Sequence, residues 1–302
     1  MTFARFMELA LYHPAVGYYR RSQPRVGYGA GTDFFTASTS GPLFGELVSA
    51  ATVTLLGRRN PSEYAFIEIG AEPGRSVLAG VDHPFGAVTT LRQGDSLEFT
   101  GPSVIFSNEL FDAQVFHRYV FRRGRWIELG VTLQTCQLVE IELETIPSPL
   151  LPPSAPEGYI FDAPLGALAL AERIASLPWT GLFLACDYGR AFHELAENYP
   201  GGTARAYFRH TQSNDLLARP GEQDLTCHVC WDWLAGALVR RGFAGPVIES
   251  QESFFVRHAA DFIAGVSSAE AAGFSPKKLS LLQLLHPSHL GQKFQVLHAC
   301  RE

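Results

Sequence analysis

Three short apolar runs constrain this chain more than any other feature. They are Ala65-Phe66-Ile67-Glu68-Ile69, Val104-Ile105-Phe106 and Leu182-Phe183-Leu184-Ala185-Cys186, and each breaks into glycine or polar residues at its carboxyl end. Runs this short and this continuously apolar suit strands buried on both faces, the usual condition of a parallel sheet flanked by helices. Helical spacing separates them. An amphipathic opening, Phe3 to His13, stops before Pro14, and a second helix should follow Ser40-Gly41-Pro42, with Leu43, Phe44, Leu47, Val48, Ala51 and Leu55 on one face. Further helices are expected over 164–177, after Thr226, near 253–264 and near 276–285, with additional strands at 87–92, 246–249 and 293–299. Bulky and polar residues alternate over 115–145 around Arg123-Gly124, which reads as a hairpin with a further strand. Strands alternating with helices predict an α/β doubly wound, mostly parallel sheet, and such sheets bind ligands beyond the carboxyl ends of their strands.

Composition narrows the function classes. The 302 residues carry 30 acids against 24 bases, a formal charge of −6, which gives no basic excess for holding phosphate backbones; no nucleic acid is expected as a partner. No apolar run approaches the ~20 residues that cross a bilayer, and the opening segment has no small-residue cleavage site, so the expectation is a cytoplasmic protein without membrane insertion. Five cysteines spread over the chain do not form a secreted disulfide framework. Cys227-His228-Val229-Cys230 lacks the second ligand pair a zinc site needs, so no metal is expected and Cys230 is placed on a core-facing stripe.

The polar strand ends are where chemistry would sit. Glu68 interrupts an apolar strand, and a lone carboxylate there costs several kcal/mol unless a ligand or a neighbouring amide or arginine satisfies it. Gly70 and Gly74 form a glycine-bearing turn that admits close backbone approach, although a plain strand exit uses glycine in the same way. Ser107-Asn108-Glu109-Leu110-Phe111-Asp112-Ala113 places an amide and two carboxylates just past a buried strand. A turn-capping role accounts for Asn108 but not for both acids.

Taken together, the motifs resemble the MidA-like family, whose mitochondrial members methylate an arginine on a respiratory complex I subunit and assist its assembly. The matching blocks run through nearly the whole chain: Tyr12-His13-Pro14 with Gly17-Tyr18-Tyr19; Asp33-Phe34-Phe35-Thr36-Ala37 with Leu43-Phe44-Gly45-Glu46; Asn108-Glu109-Leu110-Phe111-Asp112-Ala113; Asp187-Tyr188-Gly189; Gly202-Thr203-Ala204-Arg205-Ala206-Tyr207 with His210; and Pro220-Gly221-Glu222-Gln223-Asp224-Leu225-Thr226-Cys227-His228-Val229. The resemblance implies a class I methyltransferase-like (Rossmann-like) fold with an N-terminal helical lid over 1–60. A methyltransferase domain over 61–302 would carry outer-lobe insertions at about 115–160 and 190–228. It implies S-adenosylmethionine as cosubstrate, held by Glu68, Gly70, Gly74, Asp95 and Asn108, and a protein arginine as acceptor. Glu109, Asp112 and Asp33 would then be the catalytic carboxylates. The alternative is a catalytically degenerate relative that binds a partner or another small ligand.

Two departures from the family pattern matter. Where the family turn carries a middle glycine, this chain has Glu72 followed by Pro73, and the side chain and charge of Glu72 oppose close approach of a carboxylate. The stretch from Gly74 to Asn108 is short, so the helix and second strand that normally deliver the ribose-binding acid look truncated, leaving Asp82 or Asp95 for that role.

Overall fold

The apolar runs become neighbouring strands. A computed structural model describes residues 1–20, 41–72, 74–269, 276–286 and 291–302. Helix α1 (Phe3–Tyr12) and helix α2 (Pro42–Leu56) precede β1 (Ala65–Ile69), β2 (Ala87–Leu91) and β3 (Gly101–Asn108). Then come β4 (His117–Arg122), β5 (Arg125–Gln134), β6 (Gln137–Leu143), β7 (Ile160–Ala163), α3 (Leu165–Ser176) and β8 (Trp179–Asp187). Short pieces follow: β9 (Gly189–Arg190), α4 (Phe192–Glu197), β10 (Arg205–Phe208), β11 (Thr211–Ser213), β12 (Asp224–Thr226) and β13 (Val229–Cys230). The chain closes with α5 (Trp231–Arg240), β14 (Ala244–Ser250), α6 (Gln251–His258), α7 (Ala260–Ala269), α8 (Pro276–Leu285) and β15 (Gln295–Arg301). None of the described helices is long and apolar enough to cross a membrane.

The chain divides into two units. One gathers Thr36–Leu110, Glu172–Tyr188 and Ala235–Glu302, and holds the expected sheet in the order β14-β15-β8-β3-β1-β2. Strands β2, β1, β3 and β8 are mutually parallel, whereas β15 runs antiparallel to both β8 and β14. Alternation along the strands sorts the core. Phe66, Val104, Phe106, Leu182, Leu184 and Val296 share one face with Leu43, Phe44, Leu47 and Val48 of α2, Phe254 and Phe255 of α6, and Leu284 of α8. Pro42 at the first turn of α2 lacks the N–H that would be orphaned there. The opposite face carries Trp179 and Phe183 against Phe243, with the Arg301 guanidinium over Trp179 and Phe243.

The second unit comprises Met1–Phe35, Phe111–Ala171 and Gly189–Leu234. It contains an antiparallel sheet in the order β6-β5-β4-β7, a three-stranded sheet β11-β10-β12, and the parallel pair β9–β13. Phe3, Phe6, Met7 and Leu11 of α1 pack against Phe116, Val131, Ala204 and Leu225. The residues read as one N-terminal lid are therefore shared out, α1 to this unit and α2 to the other. The helix expected after Thr226 is α5, which begins at Trp231 once Val229 and Cys230 have paired with Gly189 and Arg190. One helix expectation is corrected. The single helix near 253–264 is two, α6 and α7, divided where Ala259 leaves helical geometry at φ −123° and ψ 25°.

A buried ion pair anchors this second unit. Arg118 donates to Asp162 at 2.6 Å and meets Glu140 at 2.9 Å, while the other oxygen of Asp162 accepts the Ala204 N–H at 2.8 Å. Removing one partner strands a charge away from water, at a cost of about 3–5 kcal/mol. Asp162→Ala is expected to lower stability in urea unfolding of the full chain by that amount. A loss under about 1 kcal/mol would show that Asp162 does not anchor the sheet.

Candidate functional site

Parallel strands end together, and in the first unit the registers bring the polar strand ends into one rim. Ile69 pairs with Leu91 and with Ser107, and Asn108 pairs with Cys186. Beyond these pairs stand Gly70, Arg92, Glu109 and Asp187. Gly70 donates its N–H to Leu91 O at 2.8 Å and holds φ +86°, a left-handed conformation that glycine adopts freely. A Cβ at Gly70 would lie 2.7 Å from Leu110 Cδ1, so the glycine turn and the Asn108–Leu110 segment touch with no room for a side chain.

Glu109 holds φ +52°, which non-glycine residues seldom adopt and which recurs where strain serves a site. Its N–H donates to Cys186 O at 2.9 Å. Next to it, Leu110 N–H donates to Asp187 Oδ2 at 3.1 Å, and the other Asp187 oxygen accepts Tyr188 N–H at 2.8 Å. Asp187 is fully buried and thus ties the exit of β3 to the exit of β8. Burial, then the charges of Asp187 and Glu109, push the Cys186 thiol well above its usual range, so it stays protonated. Asn108 Nδ2 donates to Glu109 Oε1 at 3.1 Å, which fixes the orientation of the amide, since only its nitrogen can donate to a carboxylate. Among the described residues the buried Asn108 Oδ1 accepts from no group.

The turn after β1 departs from the strand-turn-helix pattern. Among the described residues between Gly70 and Gly86 there is no helix. Arg75 N–H closes on Glu72 O at 3.0 Å, with Gly74 left-handed at φ +73° and open space where its Cβ would stand. Two further turns close at Ala79–Ser76 and Val81–Leu78. Prolines and glycines at 73, 74, 80, 84 and 86 leave no uninterrupted helical stretch. Glu68 organises this turn: its Oε2 accepts the Val77 N–H at 2.8 Å. Burial raises its pKa, and the Val77 amide, the Ser76 hydroxyl and the Arg92 charge partly offset that rise. Asp95 is exposed and accepts the Arg92 N–H at 2.7 Å, closing the turn after β2; Asp82 is also exposed. The residue directly following β2 is Arg92, a cation.

The other candidates lie in the second unit or outside the described residues. Asp112 is buried, and its carbonyl accepts the Cys227 N–H at 3.0 Å. Nearby, Tyr12 donates to Ala113 O at 2.6 Å and Tyr19 to Asp224 Oδ1 at 3.2 Å, with the two rings stacked at 5.3 Å. Burial first, then Asp224, raises both phenols far above their usual range, and Asp112 adds to the rise. Asp33 lies outside the described residues. Sequence reasoning passed over Tyr12, Tyr19 and Asp224 as site residues, although all three stand in the recurring motif blocks. Cys227 and Cys230 are buried, and neither forms a disulfide. Among the described residues one three-member group has ligand atoms within 4.8 Å of one another, Glu249, His258 and His298, and Arg257 also pairs with that glutamate.

Comparison with known proteins gives the family and the fold. A family model described as "Putative S-adenosyl-L-methionine-dependent methyltransferase" matches residues 55–246, more than half of the chain. A COG1565 superfamily member from Burkholderia thailandensis, solved bound to S-adenosyl-homocysteine, superposes with a TM-score of 0.85 at 23% identity, covering 100% of this chain and 88% of that one. A native COG1565 superfamily protein from the same organism gives 0.82 at 21% identity, covering 100% and 87%. At these identities the likeness shows the fold. A comparison with curated proteins returned no match.

His228, in the second unit, yields a pH test. Burial, aided by the charges of Arg190 and Arg205, lowers its pKa from 6.5 to about 4. Between those values the unfolded chain binds the proton and the folded chain does not, so this stability is present above pH 6.5 and is lost as pH falls toward 4. From pH 7 to pH 5 the wild type should lose about 2 kcal/mol more in urea unfolding than His228→Gln does. Equal losses would show that His228 is not held neutral.

Proposed function

Because the chain belongs to the MidA-like family of S-adenosyl-L-methionine-dependent methyltransferases, we propose that it transfers a methyl group from S-adenosylmethionine to an arginine side chain of a protein. The observation that carries the reading is Glu109, an acid in a strained left-handed conformation at the end of a central parallel strand, beside a glycine turn.

The residues present fit the cosubstrate at its amino-acid end. Gly70 and Gly74 expose left-handed backbone, and Asn108 Oδ1 is a buried acceptor with no protein donor, suited to an ammonium N–H. Asp95, or Asp82, is the acid available for the ribose hydroxyls, since the residue after β2 is Arg92. Bound S-adenosylmethionine supplies a methyl already activated on sulfonium, so the chain's own work is alignment. An arginine acceptor is protonated and a poor nucleophile, with a pKa above ~12. A carboxylate gripping the guanidinium aims one nitrogen and takes up the proton that nitrogen releases, and Glu109 is assigned that work. Asp112 and Asp33 remain the other acid candidates from the sequence.

Glu72 favours a second reading, a degenerate relative that binds without turnover. Its charge sits at the turn where a cosubstrate carboxylate would approach. Labelled S-adenosylmethionine offered with arginine-bearing protein distinguishes the readings. Transfer should fall at least 100-fold in Glu109→Gln while S-adenosylhomocysteine binding persists. Binding without transfer by the wild type would favour the degenerate reading, and label on lysine would overturn the acceptor assignment. Calorimetry should show Glu72→Gly binding S-adenosylhomocysteine several-fold tighter than the wild type. An unchanged affinity would contradict the steric and electrostatic account of the turn.

A further inference from the structure

Three places in or beside the motif blocks carry side chains that the proposed methyl transfer leaves unused: Arg190, directly after Asp187-Tyr188-Gly189; Arg205, in Gly202-Thr203-Ala204-Arg205-Ala206-Tyr207; and His228, in Thr226-Cys227-His228-Val229. The topology of the second unit draws a side chain from each into one place. In one ladder Arg205 pairs with Thr226, and in the other Gly189 pairs with Val229 and Arg190 with Cys230. The two registers bracket Cys227 and His228, so His228 is fixed between the strands that bear the two arginines. Hydrogen bonds complete the arrangement. Arg190 Nε donates to the Tyr199 hydroxyl at 2.8 Å, and the Tyr199 ring stands edge-on to the His228 imidazole at 5.4 Å. His228 N–H donates to Thr203 Oγ1 at 3.2 Å, and Arg205 Nη1 donates to Ala204 O at 2.6 Å.

The groups that hold the two arginines are uncharged. Arg190 and Arg205 are half-buried and are held by a phenol and by carbonyls, which satisfy N–H groups without neutralising a guanidinium. Among the described residues neither meets a carboxylate in an ion pair, whereas Arg118 of the same unit, buried for a structural purpose, meets both Asp162 and Glu140. The Nδ1 of His228 is buried without a hydrogen-bond partner. Two guanidiniums converging on an imidazole that has an unused ring nitrogen are complementary to an oxyanion. In the tautomer that protonates Nδ1, His228 adds a neutral donor to two charged ones.

We propose that Arg190, Arg205 and His228 form a binding site for a small oxyanion, a phosphate or carboxylate group. The site belongs to the second unit and is independent of the methyl-transfer reading. Arg190 and Arg205 supply the charge, His228 and Tyr199 shape the floor, and a monoanion between the guanidiniums relieves their mutual repulsion.

The test uses the full chain with histidine side chains isotopically labelled and the His228 resonances identified by their loss in His228→Gln. Inorganic phosphate and acetate are titrated separately at constant ionic strength held with sodium chloride. The expected result is a saturable shift of the His228 signals with at least one of the two, its midpoint raised 10-fold or more in Arg190→Gln and in Arg205→Gln. Arg190→Lys, which keeps the charge, should stay within a few-fold of the wild type and guards against a folding defect, which circular dichroism also checks. Arg58→Gln, which removes an exposed cation of the other unit, should leave the midpoint unchanged. A shift that never saturates, or a midpoint indifferent to both glutamine substitutions, would overturn the proposal and indicate an adventitious ion only.

Discussion

A single buried carboxylate organises the rim on which the functional reading rests. Asp187 accepts the N–H of Leu110 with one oxygen and that of Tyr188 with the other. A buried carboxylate is costly unless hydrogen-bonded, and here the satisfying donors are the backbone amides of two strand exits. The clamp fixes how the chain leaves β3, seats Leu110 against Gly70, and holds Glu109 in its left-handed conformation.

Much of this was legible because it follows from alternation and punctuation. The runs at 65–69, 104–106 and 182–186 are continuously apolar and end abruptly, so both their strand character and the location of their polar ends could be read. Helix α8, over 276–285, was likewise readable from its spacing. Less legible were elements whose pairing is wholly tertiary. Gly189–Arg190 and Val229–Cys230 are strands of two residues, too short to carry any periodicity, and the break at Ala259 has no glycine or proline to announce it. Asp224 and the tyrosines of the opening motif stand about 200 residues apart in the sequence and are brought together only through the packing of α1.

Local chemistry also explains the departure at the first turn. A helix after β1 would present its amino-terminal amides at the rim. The described residues between Gly70 and Gly86 form turns, with Glu68 reaching forward to the Val77 amide, a neighbouring amide of the kind its place in an apolar strand calls for. Arg92 directly follows β2, and Asp95 closes the turn after it. The proposed reading rests on Gly70, Gly74, Asn108 and Glu109, and so on the clamp at Asp187.

Hydrogen–deuterium exchange of the full chain, with and without S-adenosylhomocysteine, tests this central claim most directly. The account predicts added protection confined to peptides spanning 70–75 and 107–110, with Asp187→Ala abolishing it. Unchanged exchange in both peptides at saturating S-adenosylhomocysteine, or protection only elsewhere in the chain, would contradict it.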